Sequence, residues 1–341
     1  MNKKERFIAT IERKPVDKPS SWLGIPDNKA LPGLYNYFNA TDFADFKNKI
    51  DDDVWVVELP FHSPVSDAIY AAFDFSKKYE HNIEDRTLTS PGFFEDYEDA
   101  EDVNLFDWPD PAKYISKEEC MAEVEKVPEG YAALGVIWSA HFQDACAAFG
   151  MEDALVKMII APELFRAVID KITEFYLKAN EIFYEATKGR LDAVLIGNDF
   201  GTQTGLIVSP EALREFVFPG TKKLVEQAKS YGLKVIHHSC GSIEAIIPDL
   251  IELGVDVIHP IQALAKNMDP QLLKDKYSDK VSFCGGVDAQ YLLVNGTPGQ
   301  VREKVNELTE LFPTGLIISP SHEAILPDVP PENIEALFKN I

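Results

Sequence analysis

Long apolar runs are missing from this chain of 341 residues. No stretch approaches the roughly 20 residues that a helix needs to cross a bilayer, and the opening MNKKERFIATIERK has no apolar signal core. The sequence therefore predicts no membrane insertion, and a cytoplasmic location is expected. Basic residues are also scarce: 33 Lys and Arg against 56 Asp and Glu give a formal charge of −23. That balance speaks against nucleic acid and anionic membrane surfaces, which both demand clustered cations. A basic partner or a metal cation fits it better. The four cysteines, Cys120, Cys146, Cys240 and Cys284, lie far apart without a CxxC pair, so neither a disulfide framework nor a zinc ribbon is expected. No internal repeat, low-complexity tract or Gly/Ser-rich linker divides the chain.

What is present is a rhythm. Eight short β-branched or apolar runs, at 20–24, 53–59, 131–137, 191–196, 233–238, 255–259, 280–284 and 315–319, alternate with longer helical patterns. Such alternation is the mark of βα units around a parallel sheet, and eight units close a barrel. Helix starts are signalled by Ser209-Pro210, by Thr297-Pro298 with Gln300 as a capping box, and by the prolines of PPENIEALF at 330–338. The expected fold is α/β, a (β/α)8 TIM-type barrel forming a single domain over 1–341. Residues 61–130, acidic and poor in apolar residues, are expected to be an elaborated insertion holding no more than a hairpin and a helix.

In a barrel, the C-terminal strand ends form one rim, and that rim carries the chemistry. Of the seven histidines, His62, His237, His238, His259 and His322 fall at or just after predicted strand ends, whereas His81 and His141 do not. Asn198 and Asp199 in GNDFG, Cys240, Gln262, Cys284 and Asp288 fall on the same rim. The sharpest element is His238-x-Cys240 in KVIHHSCGSI, because alternate residues of an extended segment share a side and can chelate one ion. Imidazole with thiolate suits zinc, provided another strand supplies a further ligand. His322 leads for that place, with Cys284, Gln262 and His259 behind it. Against this stands a plainer reading in which the pair is a packed strand end, Asp199 caps a turn, and Gly285 and Gly286 serve a tight βα turn. His237 should point opposite to His238, into packing.

HSCG at 238–241 followed by IIPDLIELGVDVI, CGGVD at 284–288, GTP at 296–298 and SPSH…PPENIEAL at 319–337 together resemble the uroporphyrinogen decarboxylase superfamily. RKPVDKP at 13–19 and YAALGVIWSAHF at 131–142 fit the same pattern more loosely. The resemblance implies a TIM-type barrel and one of two activities: decarboxylation, or zinc-dependent methyl transfer serving corrinoid proteins. The decarboxylases carry arginines just after strand one, in a motif resembling RQAGR, to receive eight substrate carboxylates. Here that stretch reads SSWLGIPDNKALPG, and none of Arg6, Arg13, Arg86, Arg166, Arg190, Arg214 and Arg302 sits at a predicted strand end.

The methyltransferase branch is similar in its His-x-Cys zinc pair, matched by His238 and Cys240, though it resembles a late cysteine where this chain has His322. The resemblance thus implies zinc on His238, Cys240 and His322, with Asp199 orienting substrate or relaying a proton. His62, Asn198, His259, Gln262, Cys284 and Asp288 would contact substrate. It also implies a corrinoid as methyl donor or acceptor, carried by a partner protein. Two other readings stay open: decarboxylation of a porphyrinogen or smaller polycarboxylate, with Asp199 or an acid in 51–58 as proton donor, and a non-catalytic binder of zinc, corrinoid or tetrapyrrole.

Overall fold

The computed structural model describes residues 1–76 and 87–339, so His81 and Arg86 lie outside the described residues. The strands are β1 (Ser20–Ser21), β2 (Ile25–Pro26), β3 (Val54–Glu58), β4 (Ala132–Trp138), β5 (Ala193–Gly197), β6 (Lys234–His238), β7 (Val257–Ile261), β8 (Ser282–Val287), β9 (Leu316–Pro320) and β10 (Ala324–Ile325). Eight of them form one parallel sheet in the order β1-β9-β8-β7-β6-β5-β4-β3. Its two edges meet where the Asp53 N–H donates to the Ser21 carbonyl at 2.9 Å, so the sheet curls into a nearly closed (β/α)8 barrel. Each of the eight runs expected from sequence is a barrel strand. A small parallel pair, β2 with β10, continues beyond the β1–β9 edge and lies over the C-terminal mouth.

The strands read as continuous apolar runs because both of their faces are buried. Ala132, Leu134 and Val136 of β4, Ala193 and Leu195 of β5, Ile236, Val257, Cys284 and Ile317 fill the barrel interior together with Trp22, Phe7 and Ile11. Intervening residues such as Ala133, Val194, Ile196, Val235, Ile258 and Phe283 pack outward into the helical layer. The interior is thus a packed plug. The helix Lys3–Ile11 supplies Phe7 and Ile11 to the plug at the N-terminal end, and Arg6 pairs there with Asp53 at 2.5 Å and Asp17 at 2.8 Å. Lys47 and Asp52, both fully buried, form a second ion pair beside it. With that end closed, the opposite mouth is left for ligands.

Helix starts follow the expected signals. The Ser209 hydroxyl accepts the Ala212 N–H at 3.2 Å, and a wider π-type turn at Leu213–Val217 leads into the helix Phe218–Ser230. Thr297 and Gln300 form the capping box of Pro298–Leu311. The segment 61–130 differs from expectation: it contains the helix Lys117–Glu125 and three short 3-10 turns, but no hairpin among the described residues. Aromatic packing takes the place of a backbone ladder. Phe73 meets Phe175 of the long helix Pro162–Ala186 at 4.7 Å, and Phe75, Phe94, Phe106 and Trp108 stack around it.

Candidate metal centre at the barrel mouth

Parallel pairing places β5, β6 and β7 side by side with their C-terminal ends at one rim, with Gly197 opposite His238 and His238 opposite His259. Gly197 is required by this approach: a Cβ there would stand 2.3 Å from the His238 carbonyl oxygen. Beyond β6, the HSCG turn is tied down through three successive N–H groups. Ser239 donates to the His259 carbonyl at 2.8 Å, Cys240 to Asp199 Oδ1 at 2.8 Å, and Gly241 to Gln262 Oε1 at 2.6 Å. Gly241 takes the left-handed conformation (φ +82°) that lets the turn close.

This turn aims His238 and Cys240 at one point. His238 Nε2 lies 3.2 Å from Asp199 Oδ1 and 3.5 Å from Cys240 Sγ, and one donor atom from each of Asp199, His238 and Cys240 lies within 4.8 Å of the others. A second group shares His238 through its other nitrogen: Nδ1 is 3.0 Å from His259 Nδ1 and 3.4 Å from Glu323 Oε2. His322 reaches the cluster from beyond β9, hydrogen-bonding the Cys240 thiol with its ring centroid 6.3 Å from that of His238. Among the described residues it is outside both tight donor groups.

The charges reinforce one another. Burial opposes ionisation of Asp199, yet the His238 imidazole and the Cys240 N–H bring its pKa down to about 2. Burial likewise favours neutral His238, but Asp199, Cys240 and Glu323 outweigh it and hold the imidazole well above its ordinary pKa. The Cys240 thiol, raised by burial, is brought below its usual value by hydrogen bonds from His238 and His322. His259 is driven the other way, first by burial and then by His238. Imidazole nitrogen, thiolate sulfur and carboxylate oxygen are the ligand types that zinc takes. The cluster therefore fits such an ion, and two buried polar atoms beside it, Glu323 Oε2 and His259 Nε2, lack hydrogen-bond partners.

Other expected site residues sit elsewhere. Cys284 lies in mid-strand inside the plug, because β8 runs on to Val287, and burial pushes its thiol pKa up. Gly285 and Gly286 (φ +119° and +96°) belong to that strand rather than to a βα turn, and a Cβ on Gly285 would stand 2.7 Å from the Ile261 nitrogen. Asn198 turns away from the mouth to accept the Phe142 N–H at 2.7 Å. Asp288 caps the turn into Leu292–Asn295, and exposed His62 pairs with Asp67 at 3.0 Å. Gln262 holds the HSCG turn, as described. His237 stacks on Phe200 at 5.6 Å, opposite to His238 as expected.

The structure adds residues that the sequence reading did not single out. Glu323 follows His322 onto β10. Trp138 ends β4 where the β4–β5 register slips, with a left-handed backbone (φ +67°), and meets His238 edge-on at 5.4 Å. Such a conformation costs about 1–3 kcal/mol in a non-glycine residue and gathers at functional sites. The mouth opens into a cleft of about 550 Å³ lined by Glu58, Trp138, Asp199, His238, His322 and Glu323 among others, and no lysine or arginine lines it among the described residues.

The family model for uroporphyrinogen decarboxylase (URO-D) matches residues 2–341. The chain belongs to the uroporphyrinogen decarboxylase family. Within it, the chain is 26% identical over 215 residues to a methylated-thiol–coenzyme M methyltransferase from Methanosarcina mazei, a match covering 62% of this chain and 54% of that protein. It is 29% identical over 140 residues to a uroporphyrinogen decarboxylase from Rickettsia bellii, covering 40% of this chain and 38% of that one. The matched stretch thus spans about half or less of these relatives' own length. A solved methyltransferase structure from Methanosarcina mazei shares the fold at a TM-score of 0.71 and 18% identity, covering 99% of this chain and 97% of that one.

Proposed function

We propose that this uroporphyrinogen decarboxylase family member is a zinc-dependent methyltransferase. It moves a methyl group between a small substrate and a corrinoid carried by a partner protein, with 1–341 acting as one domain. The observation that carries this reading is the Asp199–His238–Cys240 donor set at the edge of a cleft that no lysine or arginine lines among the described residues. The methyltransferase relative is consistent with it. Zinc held there would supply Lewis acidity, lowering the pKa of a bound thiol or drawing charge from the atom that the methyl group leaves.

The protein's own residues supply the rest. Asp199, ionised across the neutral range, accepts hydrogen bonds from the HSCG turn and from His238, and orients whatever binds beside them. His322 holds the Cys240 sulfur from the outer side and, with Glu323, forms the third wall. The decarboxylase reading finds less support, since a polycarboxylate would face Glu58, Asp199 and Glu323 with no lysine or arginine among the described lining residues to balance it.

The test has two arms. Purified protein is expected to carry about one zinc per chain, to lose most of it in Cys240→Ser and His238→Ala with the circular dichroism unchanged, and to exchange methyl groups with free cobalamin as followed by absorbance. Unchanged zinc in both variants would overturn the metal site. Conversion of uroporphyrinogen at about 1 per second or more, an ordinary enzymatic rate, would replace this reading with the decarboxylase.

A further inference from the structure

Two clefts of about 550 and 530 Å³ adjoin at the mouth and share Ile25, Glu58, Tyr70, Trp138 and Ala324. Glu58 ends β3 and pairs in register with Val136, two residues before Trp138, so carboxylate and indole stand on neighbouring strand ends. Glu58 has no hydrogen-bond or ion-pair partner among the described residues. Glu58 is exposed on the cleft wall, where its surroundings and the nearby Glu123 raise its pKa. Asp199 and Glu323 also line the cleft but are paired with His238, which leaves Glu58 as the carboxylate without a partner, and the whole chain carries −23, which enriches cations around it. An unpaired carboxylate beside aromatic faces, in a cleft that no lysine or arginine lines among the described residues, suits a weakly hydrated cation whose charge is spread over methyl groups. A neutral ether or thioether would gain nothing from Glu58.

We infer that the small substrate of this cleft is a methylated onium cation, a quaternary ammonium or tertiary sulfonium compound, seated against Trp138 with Glu58 as its counter-charge. The inference rests on the methyltransferase reading above, whose substrate class it names. Tyr70, 61% exposed on the same wall, supplies a second aromatic surface.

Calorimetric titration of the metal-loaded protein with choline and with its neutral carbon isostere, 3,3-dimethylbutan-1-ol, tests the inference without turnover. Choline is expected to bind about tenfold tighter or more, and Glu58→Gln and Trp138→Leu are each expected to remove about that factor. Trp138→Phe should retain most of the preference. If Trp138→Leu fails to fold by circular dichroism, the near-isosteric Glu58→Gln carries the test. Equal affinity for the two probes, or a preference untouched by Glu58→Gln, overturns the inference. Methylation of reduced cobalamin by neutral thioethers alongside equal binding would remove the substrate class and leave the transfer reading intact. Selective choline binding without methyl exchange from any donor would sustain the cation site and remove the transfer reading instead.

Discussion

His238 is the hinge of the centre because its two nitrogens face different company. Nε2 looks toward Asp199 and Cys240, while Nδ1 faces His259 and Glu323. A ligating imidazole is usually held at its other nitrogen by a carboxylate or carbonyl, and loss of that support weakens metal affinity by about 10–100-fold. Glu323→Gln is therefore expected to lower zinc affinity by at least about tenfold, measured by competition with a chromophoric chelator, while Cys240→Ser abolishes retention. Full affinity in Glu323→Gln would mean that the carboxylate, 3.4 Å from Nδ1, does not hold the ring.

At the scale of elements, the decisive feature is the small β2–β10 pair, which carries Glu323 over the mouth and follows directly on His322. The Ile25 N–H donates to the Glu323 carbonyl at 2.7 Å and the Asp27 N–H to that of Ile325 at 2.9 Å. This close approach depends on Gly24, whose φ of +90° suits glycine and whose Cβ, if present, would stand 2.2 Å from the Glu323 oxygen. Gly24→Ala must push β10 outward. Thermal denaturation is expected to register a loss of about 1–3 kcal/mol, and chelator competition a weaker hold on zinc. Loss of stability with undiminished zinc affinity would separate the strap from the metal centre.

The whole molecule has a pH dependence with an identifiable source outside the metal cluster. Asp144 is half-buried against the helix Pro162–Ala186, where desolvation raises its carboxyl pKa to about 7 despite the hydrogen bond donated by the Tyr176 hydroxyl at 2.6 Å. An unfolded aspartate ionises near 3.9. Between those values the unfolded chain has released a proton that the native chain keeps, so this group's contribution falls as pH rises from about 4 to 7 and is constant above. The amount is on the order of 4 kcal/mol. Asp144→Asn retains an acceptor for Tyr176 and removes the titration. In chemical denaturation, the variant is expected to gain on the parent between pH 4.5 and 8, by up to roughly that amount. A stability difference independent of pH would assign the slope to other groups.

The sequence alone determined the barrel, because a strand buried on both faces must be apolar throughout and the connecting helices carry their own caps. It also determined that His238 and Cys240 converge, because residues two apart on an extended segment share a side by covalent geometry alone. The tertiary structure decided what depends on strand ends and on distant segments meeting. Three more residues of β8 buried Cys284, a register slip turned Trp138 onto the cleft wall, and a strap closing over the mouth brought Glu323 beside His238. None of these is local: each follows from how far one strand slides against its neighbour, and no short window of sequence encodes that distance.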